Sequence, residues 1–189
     1  MARRGVRVIA GSAKGRRLQV PPGDAVRPTS DRVKEAVFSA LDARGAVAGA
    51  SVLDLWAGSG SLAIEALSRG ADREVLVEDH SAALDAIRAN LGVCAVGRAR
   101  VSGTDVGRFT AGPPPAEAPF DLVLADPPYG GDAGTLREVL LALGAPGWVA
   151  DGGLVVVERR AGEMPEAPAP WRVAWERTFG DTLVLFLAA

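Results

Sequence analysis

The segment LADPPYG, residues 124–130, holds a carboxylate and an aromatic ring on either side of two consecutive prolines. Two prolines remove two backbone donors and fix two φ angles, so an apolar strand must end there. Asp126 and Tyr129 are therefore predicted on a stiff tether at a strand end, where open α/β sheets bind ligands. Taken alone, the segment is equally consistent with a rigid strand-to-loop corner.

A second segment with chemical potential is LDLWAGSGSLA, residues 53–63, which has the strand, glycine turn and helix order of a nucleotide site. Gly58 and Gly60 allow close backbone approach, and the following helix N-terminus offers free N–H groups. The loop also matches the loose G-x-G-x-x-A dinucleotide pattern, so it discriminates weakly. Asp54 discriminates better, because a diphosphate would lie too close to it, whereas an ammonium or sulfonium cation would suit it. S-adenosylmethionine carries both cations, and a carboxylate for the helix N-terminus.

Two more acids follow predicted strands. Glu78 ends the second strand and is placed to accept the ribose hydroxyls. Asp105 follows the third strand and is placed to accept from the adenine amino group, beside the N–H of Val106. Three acids at the carboxyl ends of neighbouring strands, together with the glycine loop, predict S-adenosylmethionine as cofactor and S-adenosylhomocysteine as product. The predicted cofactor-binding residues are Asp54, Ala57, Gly58, Ser59, Gly60, Glu78, Asp105 and Val106.

With that cofactor, the D-P-P-Y segment acquires a specific role. The strand ending at Asp126 is predicted to lie beside the glycine-loop strand, which brings the segment to the methyl group. Hydrogen bonds from a nucleobase amine to the Asp126 carboxylate and the Pro127 carbonyl would aim the nitrogen lone pair at the sulfonium methyl carbon. Tyr129 would stack on the base, and the rate gain would come mostly from orientation. Asp126, Pro127 and Tyr129 are the predicted catalytic residues.

The elements that position these groups follow an α/β pattern. Strands are predicted at residues 51–56, 74–79, 98–104, 120–126 and 152–159, and helices at 61–70, 81–92 and 135–144. Residues 171–188 predict two further strands about a Phe-Gly-Asp-Thr turn. The fold class is therefore α/β: a Rossmann-like, seven-stranded, mainly parallel sheet with an antiparallel C-terminal edge. Before it, residues 7–20 predict a basic β-hairpin and residues 31–44 a helix, so the domains are predicted as 1–43 and 44–189.

Composition limits the possible classes. The chain has 189 residues, enough for a sizeable core, with one cysteine and one histidine. An internal disulfide and a Cys/His zinc site are thereby excluded, and no metal is expected. No apolar run approaches the roughly 20 residues of a membrane span. We expect a soluble cytoplasmic monomer.

Charge is distributed unevenly along the chain. Residues 1–34 contain nine basic and two acidic residues, a net charge of +7, whereas the remainder carries −9. A basic segment on an acidic body indicates that one end of the protein binds a polyanion, although a solvated surface hairpin would have the same composition. The predicted RNA-contacting residues are Arg16, Arg17, Arg27 and Arg32.

Four segments, RVIAGSAKGRRL, RPTSDRVKEAVFSAL, LDLWAGSGSLAIEALSRGA and FDLVLADPPY, together resemble the RsmD family of bacterial 16S ribosomal RNA guanine-N2 methyltransferases. The resemblance implies the class I methyltransferase fold and transfer of a methyl group to one guanine, position 966 in the standard numbering. It implies a substrate that is the small ribosomal subunit or an assembly intermediate of it. It also implies that Asp126, Pro127 and Tyr129 belong to the active tetrapeptide. Around the cofactor it implies Asp54, Gly58, Gly60, Glu78 and Asp105. Trp56 departs from the family's usual phenylalanine or tyrosine.

Rival functions remain open from the residues alone. A DNA adenine-N6 or cytosine-N4 methyltransferase would use the same tetrapeptide but normally carries a long recognition insertion. A protein glutamine methyltransferase usually carries the motif N-P-P-Y, whereas this chain has Asp126 in place of the asparagine. A nicotinamide-dependent oxidoreductase is opposed by Asp54, and a non-catalytic RNA-binding module would not need Asp126 and Tyr129. Cys94 lacks the Pro-Cys context of a cytosine-C5 nucleophile and is expected to be an inert thiol.

Overall fold

The central feature of the fold is a seven-stranded sheet with the order β3-β2-β1-β4-β5-β7-β6. The structure is a computed structural model that describes residues 6–21, 31–128, 133–162 and 166–189. The strands are β1 (Ser51–Leu55), β2 (Arg73–Glu78), β3 (Arg98–Gly103), β4 (Phe120–Ala125), β5 (Val149–Arg160), β6 (Arg172–Phe179) and β7 (Thr182–Ala188). The helices are α1 (Asp31–Asp42), α2 (Ser61–Ser68), α3 (Ser81–Cys94), α4 (Val106–Thr110) and α5 (Ala133–Leu143).

The strand order creates a switch point between β1 and β4. From β1 the chain moves outward to β2 and β3, then returns to place β4 on the other side of β1, with all of these pairs parallel. β5 continues the parallel part beside β4, whereas β7 pairs antiparallel with both β5 and β6. The predicted Rossmann-like sheet with an antiparallel edge is confirmed, and its switch point is the usual ligand position in such sheets.

Helices cover both faces of the sheet, which explains why its central strands are mainly apolar. On one face α1, α2 and α3 pack in clusters that contain Phe38, Ile64, Ile87, Leu124 and Phe186. On the other face α4 and α5 pack in a cluster containing Leu55, Val123 and Leu140. Because successive side chains of a strand point to opposite faces, residues 52 and 54 of β1 face α2, and residues 53 and 55 face α5.

The N-terminal segment of residues 6–21, here called the arm, forms the predicted hairpin with less strand pairing than expected. It reverses direction through residues 11–15, and its two sides share one isolated antiparallel bridge, Arg7 with Arg17. Beside this bridge, Val8 N donates to Arg16 O at 3.0 Å and Leu18 N donates to Val6 O at 2.8 Å. The pairing does not extend further because the N–H groups of Ile9 and Ala10 donate to the Glu65 carboxylate of α2. The arm is therefore held both by its own hydrogen bonds and by a helix.

Two other features qualify the sequence predictions. Helix α4 was not predicted from the sequence, because its five residues are too few for a helical period to be recognised. The arm's Val8 and Leu18 share one apolar cluster with Phe38 and Val52, so the two parts of the chain pack closely, and a boundary at residue 43 stays a prediction. Within the described ranges, no helix has the length and apolarity needed to cross a bilayer.

Candidate active site

The glycine loop connects β1 to α2 at the switch point. Gly60 is the N-cap of α2 with φ 74°, and Gly58 has φ 55°, both in the left-handed region that favours glycine. A Cβ at Gly60 would lie 3.3 Å from Leu76 Cδ2 and 3.4 Å from Ile87 Cγ1, tighter than ordinary contacts. The loop therefore needs glycine here for both its backbone angles and its packing against β2 and α3.

Asp54 lies beneath this loop, with only 1% of its surface exposed. Its Oδ2 accepts from the N–H of Ala63 in the first turn of α2 at 3.2 Å. Its Oδ1 is buried and has no hydrogen-bond partner within the described part of the chain. Burial raises the pKa of Asp54 to about 8, the Ala63 hydrogen bond opposes this rise, and the nearby Glu78 adds to it. Among the described residues, the carboxyl group thus lacks a cationic or hydrogen-bonding partner at Oδ1. This position is suited to the ammonium group of the predicted cofactor.

Glu78 at the end of β2 braces the same loop. Its Oε2 accepts from Gly58 N at 2.8 Å, and its Oε1 accepts from the N–H groups of Asp79 at 3.0 Å and His80 at 2.9 Å. The sequence predicted that Glu78 would face the ribose. The contacts add a second task, which is to join the glycine loop to the turn before α3.

Asp105 stands at the end of the next strand and caps α4. Its Oδ1 accepts from Arg108 N at 2.9 Å, and the side chain is exposed, whereas the following Val106 is buried. The carboxylate satisfies a free N–H at the helix N-terminus, as an N-cap does. A solvated acid beside a buried apolar residue is compatible with the predicted adenine contact.

The D-P-P-Y segment leaves the sheet beside the glycine loop. Ala125, the last residue of β4, is in register with Leu55, and Asp126 N donates to Leu55 O at 3.4 Å. Asp126 is half-buried and Pro127 is buried. β4 and β1 are adjacent, as predicted. The Asp126 carboxylate therefore follows β4 next to the end of β1, the strand that carries Asp54. Tyr129 lies outside the described residues.

Arg159 is a residue of this site that sequence reasoning missed. It lies near the end of β5, is 2% exposed, and donates from its guanidinium to Pro128 O at 3.4 Å. The buried guanidinium thus contacts one carbonyl group of the D-P-P-Y segment. The signal in the sequence was weak: an arginine at the end of an apolar strand, VVVER.

Glu74 is a second missed residue. It is 1% exposed and, like Asp54 on the neighbouring strand, points to the face covered by α2 and α3, because Glu74 is in register with Val52. Both of its carboxyl oxygens lack hydrogen-bond partners among the described residues. Burial, followed by the proximity of Asp54, raises its pKa well above its usual range. The visible signal was an acid inside an otherwise apolar strand, EVLV.

The basic residues divide into two groups. Arg16 and Arg17 are exposed on the arm, and Arg32 is exposed in the first turn of α1. Lys34, counted as part of the basic segment, is instead fully buried, where it lies 3.6 Å from the Glu65 carboxylate. Desolvation lowers the pKa of Lys34, and Glu65 opposes this shift. Arg27 lies outside the described residues.

Cys94 is remote from the site. It is the last residue of α3, is buried, and has a pKa raised by burial. The helix begins near the carboxyl end of β2 and has 14 residues, so its two ends are about 20 Å apart. Among the residues that the structure describes, no group of three or more histidines, cysteines or acids is arranged to hold a metal ion.

The sheet order, the glycine loop at the switch point and the buried carboxyl group beneath it define the class I methyltransferase fold. Comparison with known proteins narrows this class. The chain matches the model of a family described as conserved hypothetical protein 95 over residues 6–188. It is 36% identical to ribosomal RNA small subunit methyltransferase D of Escherichia coli over 93% of this chain and 86% of that protein. The Haemophilus influenzae protein of the same name is 32% identical, covering 93% and 89% respectively.

Solved structures agree with this relationship. The Escherichia coli putative methyltransferase yhhF superposes with a TM-score of 0.83 and 36% identity over 97% of each chain. A hypothetical protein of Thermus thermophilus gives a TM-score of 0.78 and 29% identity over 97% of this chain and 99% of that chain. The protein belongs to the conserved hypothetical protein 95 family, the RsmD family of methyltransferases.

Proposed function

We propose that this protein transfers a methyl group from S-adenosylmethionine to the exocyclic N2 amine of a guanine in the RNA of the small ribosomal subunit. The observation that carries the proposal is the adjacency of two strand ends. Asp126 and Pro127 leave β4 directly beside β1, which carries the buried Asp54 and the glycine loop. An amine acceptor site and a cation site are thus side by side.

The cofactor site is assembled from main-chain and acidic groups. Asp54 Oδ1 is the buried acceptor for the cofactor's ammonium group, and the left-handed glycines keep Cβ atoms out of the loop. Glu78 accepts hydrogen bonds from the ribose hydroxyls. Asp105 accepts one from the adenine amino group, beside the N–H of Val106. S-adenosylmethionine supplies the activated methyl group, so the protein needs no nucleophile of its own.

The target amine is held by the D-P-P-Y segment. The Asp126 carboxylate and the Pro127 carbonyl each accept one hydrogen of the amine, which directs the nitrogen lone pair toward the cofactor site. Tyr129 stacks on the base. The two prolines and the Arg159 hydrogen bond to Pro128 O keep the acceptors in a fixed geometry, so that orientation rather than acid–base chemistry provides most of the acceleration.

The RNA substrate is supported by the relatives' names and by charge. Proteins that are 32–36% identical over most of the chain are named ribosomal RNA small subunit methyltransferase D. The exposed Arg16, Arg17 and Arg32, with Arg27, bind the phosphate backbone, and the target guanine is unpaired so that its amine can enter the pocket. The protein acts as a monomer, in the cytoplasm, on an assembled or partly assembled subunit.

The test uses small subunits purified from a strain lacking the gene, with labelled S-adenosylmethionine as methyl donor. We expect one N2-methylguanine in the 16S RNA, mapped by digestion and mass spectrometry. Asp126→Ala should retain S-adenosylhomocysteine binding and lose turnover by several orders of magnitude. The matched control is Asp151→Ala. Asp151 is exposed and lies at the amino end of β5, whereas the site lies at the carboxyl ends of the parallel strands. Labelling of duplex DNA instead of subunits, or normal turnover in Asp126→Ala, would overturn the proposal.

A further inference from the structure

Asn90 makes a contact between two parts of the protein that the proposed function treats separately. It lies in α3 and is 1% exposed. Its Oδ1 accepts from Gln19 N in the arm at 2.7 Å, and its Nδ2 donates to Gln19 O at 2.9 Å. The same Nδ2 donates to Ser59 O in the glycine loop at 2.9 Å. One buried amide therefore binds both main-chain polar groups of an arm residue and one carbonyl of the cofactor loop.

The geometry makes this contact stiff. Both hydrogens of the Asn90 amide are used, one toward each segment, so neither segment can shift without breaking a bond inside the protein. Leaving a buried donor or acceptor unsatisfied destabilises the protein. A displacement of Gln19 is therefore transmitted through the Asn90 amide to Ser59.

A second contact joins the arm to the other side of the same loop. Lys34 Nζ donates to Arg7 O in the arm at 2.7 Å and to Ser61 Oγ at 3.1 Å. Ser59 and Ser61 flank Gly60, so both sides of this glycine are tied to the arm through buried polar side chains. The two contacts reach the arm at its beginning and near its end.

We propose that Asn90 is a positioning residue that couples the arm to the glycine loop, so that ribosomal RNA and the cofactor bind cooperatively. The inference rests on the proposed function, in which the arm contacts RNA and the loop holds S-adenosylmethionine. RNA that fixes the arm also fixes the Ser59 carbonyl and hence the loop, so the second ligand binds to a loop that is already ordered. By thermodynamic linkage, the cofactor must then tighten RNA binding by the same factor as RNA tightens cofactor binding.

The experiment measures the affinity for S-adenosylhomocysteine alone and in the presence of saturating small subunits from a strain lacking the gene. In the parent protein we expect the subunits to tighten S-adenosylhomocysteine binding by about 5- to 150-fold, the usual range for coupled sites. Asn90→Ala should bring this ratio close to one, because a small side chain reaches neither segment. Asn90→Asp, which keeps the acceptor for Gln19 N but places oxygen against two carbonyls, should lose the coupling as well.

The matched control is Ser68→Ala. Ser68 is buried in α2 and bonds the arm through Ala13 N at 2.9 Å and Ala10 O at 2.5 Å, with no glycine-loop contact in the described structure. It should lose comparable stability by thermal unfolding yet keep the parental ratio. A parental ratio of one, or equal loss of coupling in Ser68→Ala and Asn90→Ala, would overturn the inference. Failure of the proposed function is distinguishable, since the parent would then not bind S-adenosylhomocysteine or not methylate the subunits.

Discussion

At the scale of single residues, the buried Asp54 makes a specific prediction about proton linkage. With a pKa raised to about 8, this carboxyl group is mostly protonated at pH 7 in the absence of a cation. An ammonium group beside Oδ1 favours the ionised form, so binding at neutral pH must release a proton. We expect affinity for S-adenosylhomocysteine to rise from about pH 6 to about pH 8, by at most tenfold per unit, and to level off above. Calorimetry in buffers of different ionisation enthalpy measures the released proton.

Asp54→Asn provides the control for this linkage. It should bind the cofactor weakly and without the rise in affinity across neutral pH. The substitution is not expected to unfold the protein. The pKa of Asp54 is about 8 in the folded protein against 3.8 ordinarily, so the parent loses stability as the pH rises from 3.8 to about 8. An asparagine amide does not ionise and avoids this loss of stability. We expect Asp54→Asn to be at least as stable as the parent at a pH of about 8. A parental affinity that does not change across this range would contradict the ionisation step.

Arg159 is predicted to act on catalysis rather than on cofactor affinity. Arg159→Met keeps much of the side-chain volume but loses the hydrogen bond to Pro128 O. Because small misplacements of reacting groups cost up to about 100-fold, we expect kcat to fall about 10- to 100-fold with unchanged S-adenosylhomocysteine affinity. Arg159→Lys should recover part of the loss. The exposed neighbour Arg160, changed to Met, is the control and should retain parental kcat; equal kcat in both Met variants would remove the assigned role.

At the scale of elements, the turn between β1 and α2 is the most constrained connection. Gly60→Ala must place a Cβ at φ 74° and against Leu76 and Ile87. We expect a loss of about 1–2 kcal/mol from the left-handed backbone alone, measured by urea unfolding, and weaker cofactor binding because the loop must move. Gly45→Ala is the matched control, since φ is +65° there and no atom of the described residues lies within 4 Å of the Cβ that alanine would add. It should share the backbone cost and keep parental cofactor affinity.

The elements that the sequence predicted correctly are those with long apolar patterns. The strands of residues 51–55 and 120–125 and the glycine turn between β1 and α2 could be predicted because apolar runs ended by glycine or proline leave few alternatives. Asp126 was placed beside the glycine loop on the same reasoning. The arm's hairpin was also predicted, but its strand pairing is shorter than expected, because partners some 55 residues away take the N–H groups of Ile9 and Ala10. Glu74 and Arg159 were missed because burial of a charge is decided by tertiary packing, which no local pattern encodes.

At the scale of the whole molecule, the charge separation predicts how the protein binds RNA. The turn of the arm lies at the far end of α2, where Ser12 N donates to Ser68 O, about 12 Å along the helix from the glycine loop. Arg16 and Arg17 beside this turn are therefore expected to contact phosphates away from the target nucleotide. They should contribute affinity and not the geometry of methyl transfer.

The corresponding variant is Arg16→Glu combined with Arg17→Glu. We expect weaker binding to small subunits and a salt dependence shallower by about one ion per lost phosphate contact, with kcat at saturation unchanged. Arg98→Glu, an exposed arginine at the start of β3, is the control and should leave binding nearly intact. Substitution is preferable to deleting the arm, which would strip partners from the buried Glu65, Ser68 and Asn90. Parental affinity in the double variant would show that the arm does not bind the RNA.

The way the arm is docked has a consequence for protein engineering. Glu65, Ser68 and Asn90 hold it through main-chain atoms of Ile9, Ala10, Ala13 and Gln19, not through their side chains. Docking therefore constrains the path of the backbone and the few apolar residues facing α2, and leaves the outward side chains exchangeable. An arm of equal length with different outward residues should dock on the same scaffold. Affinity for the RNA surface around the target is then open to redesign by exchanging these outward residues while the catalytic scaffold is left untouched.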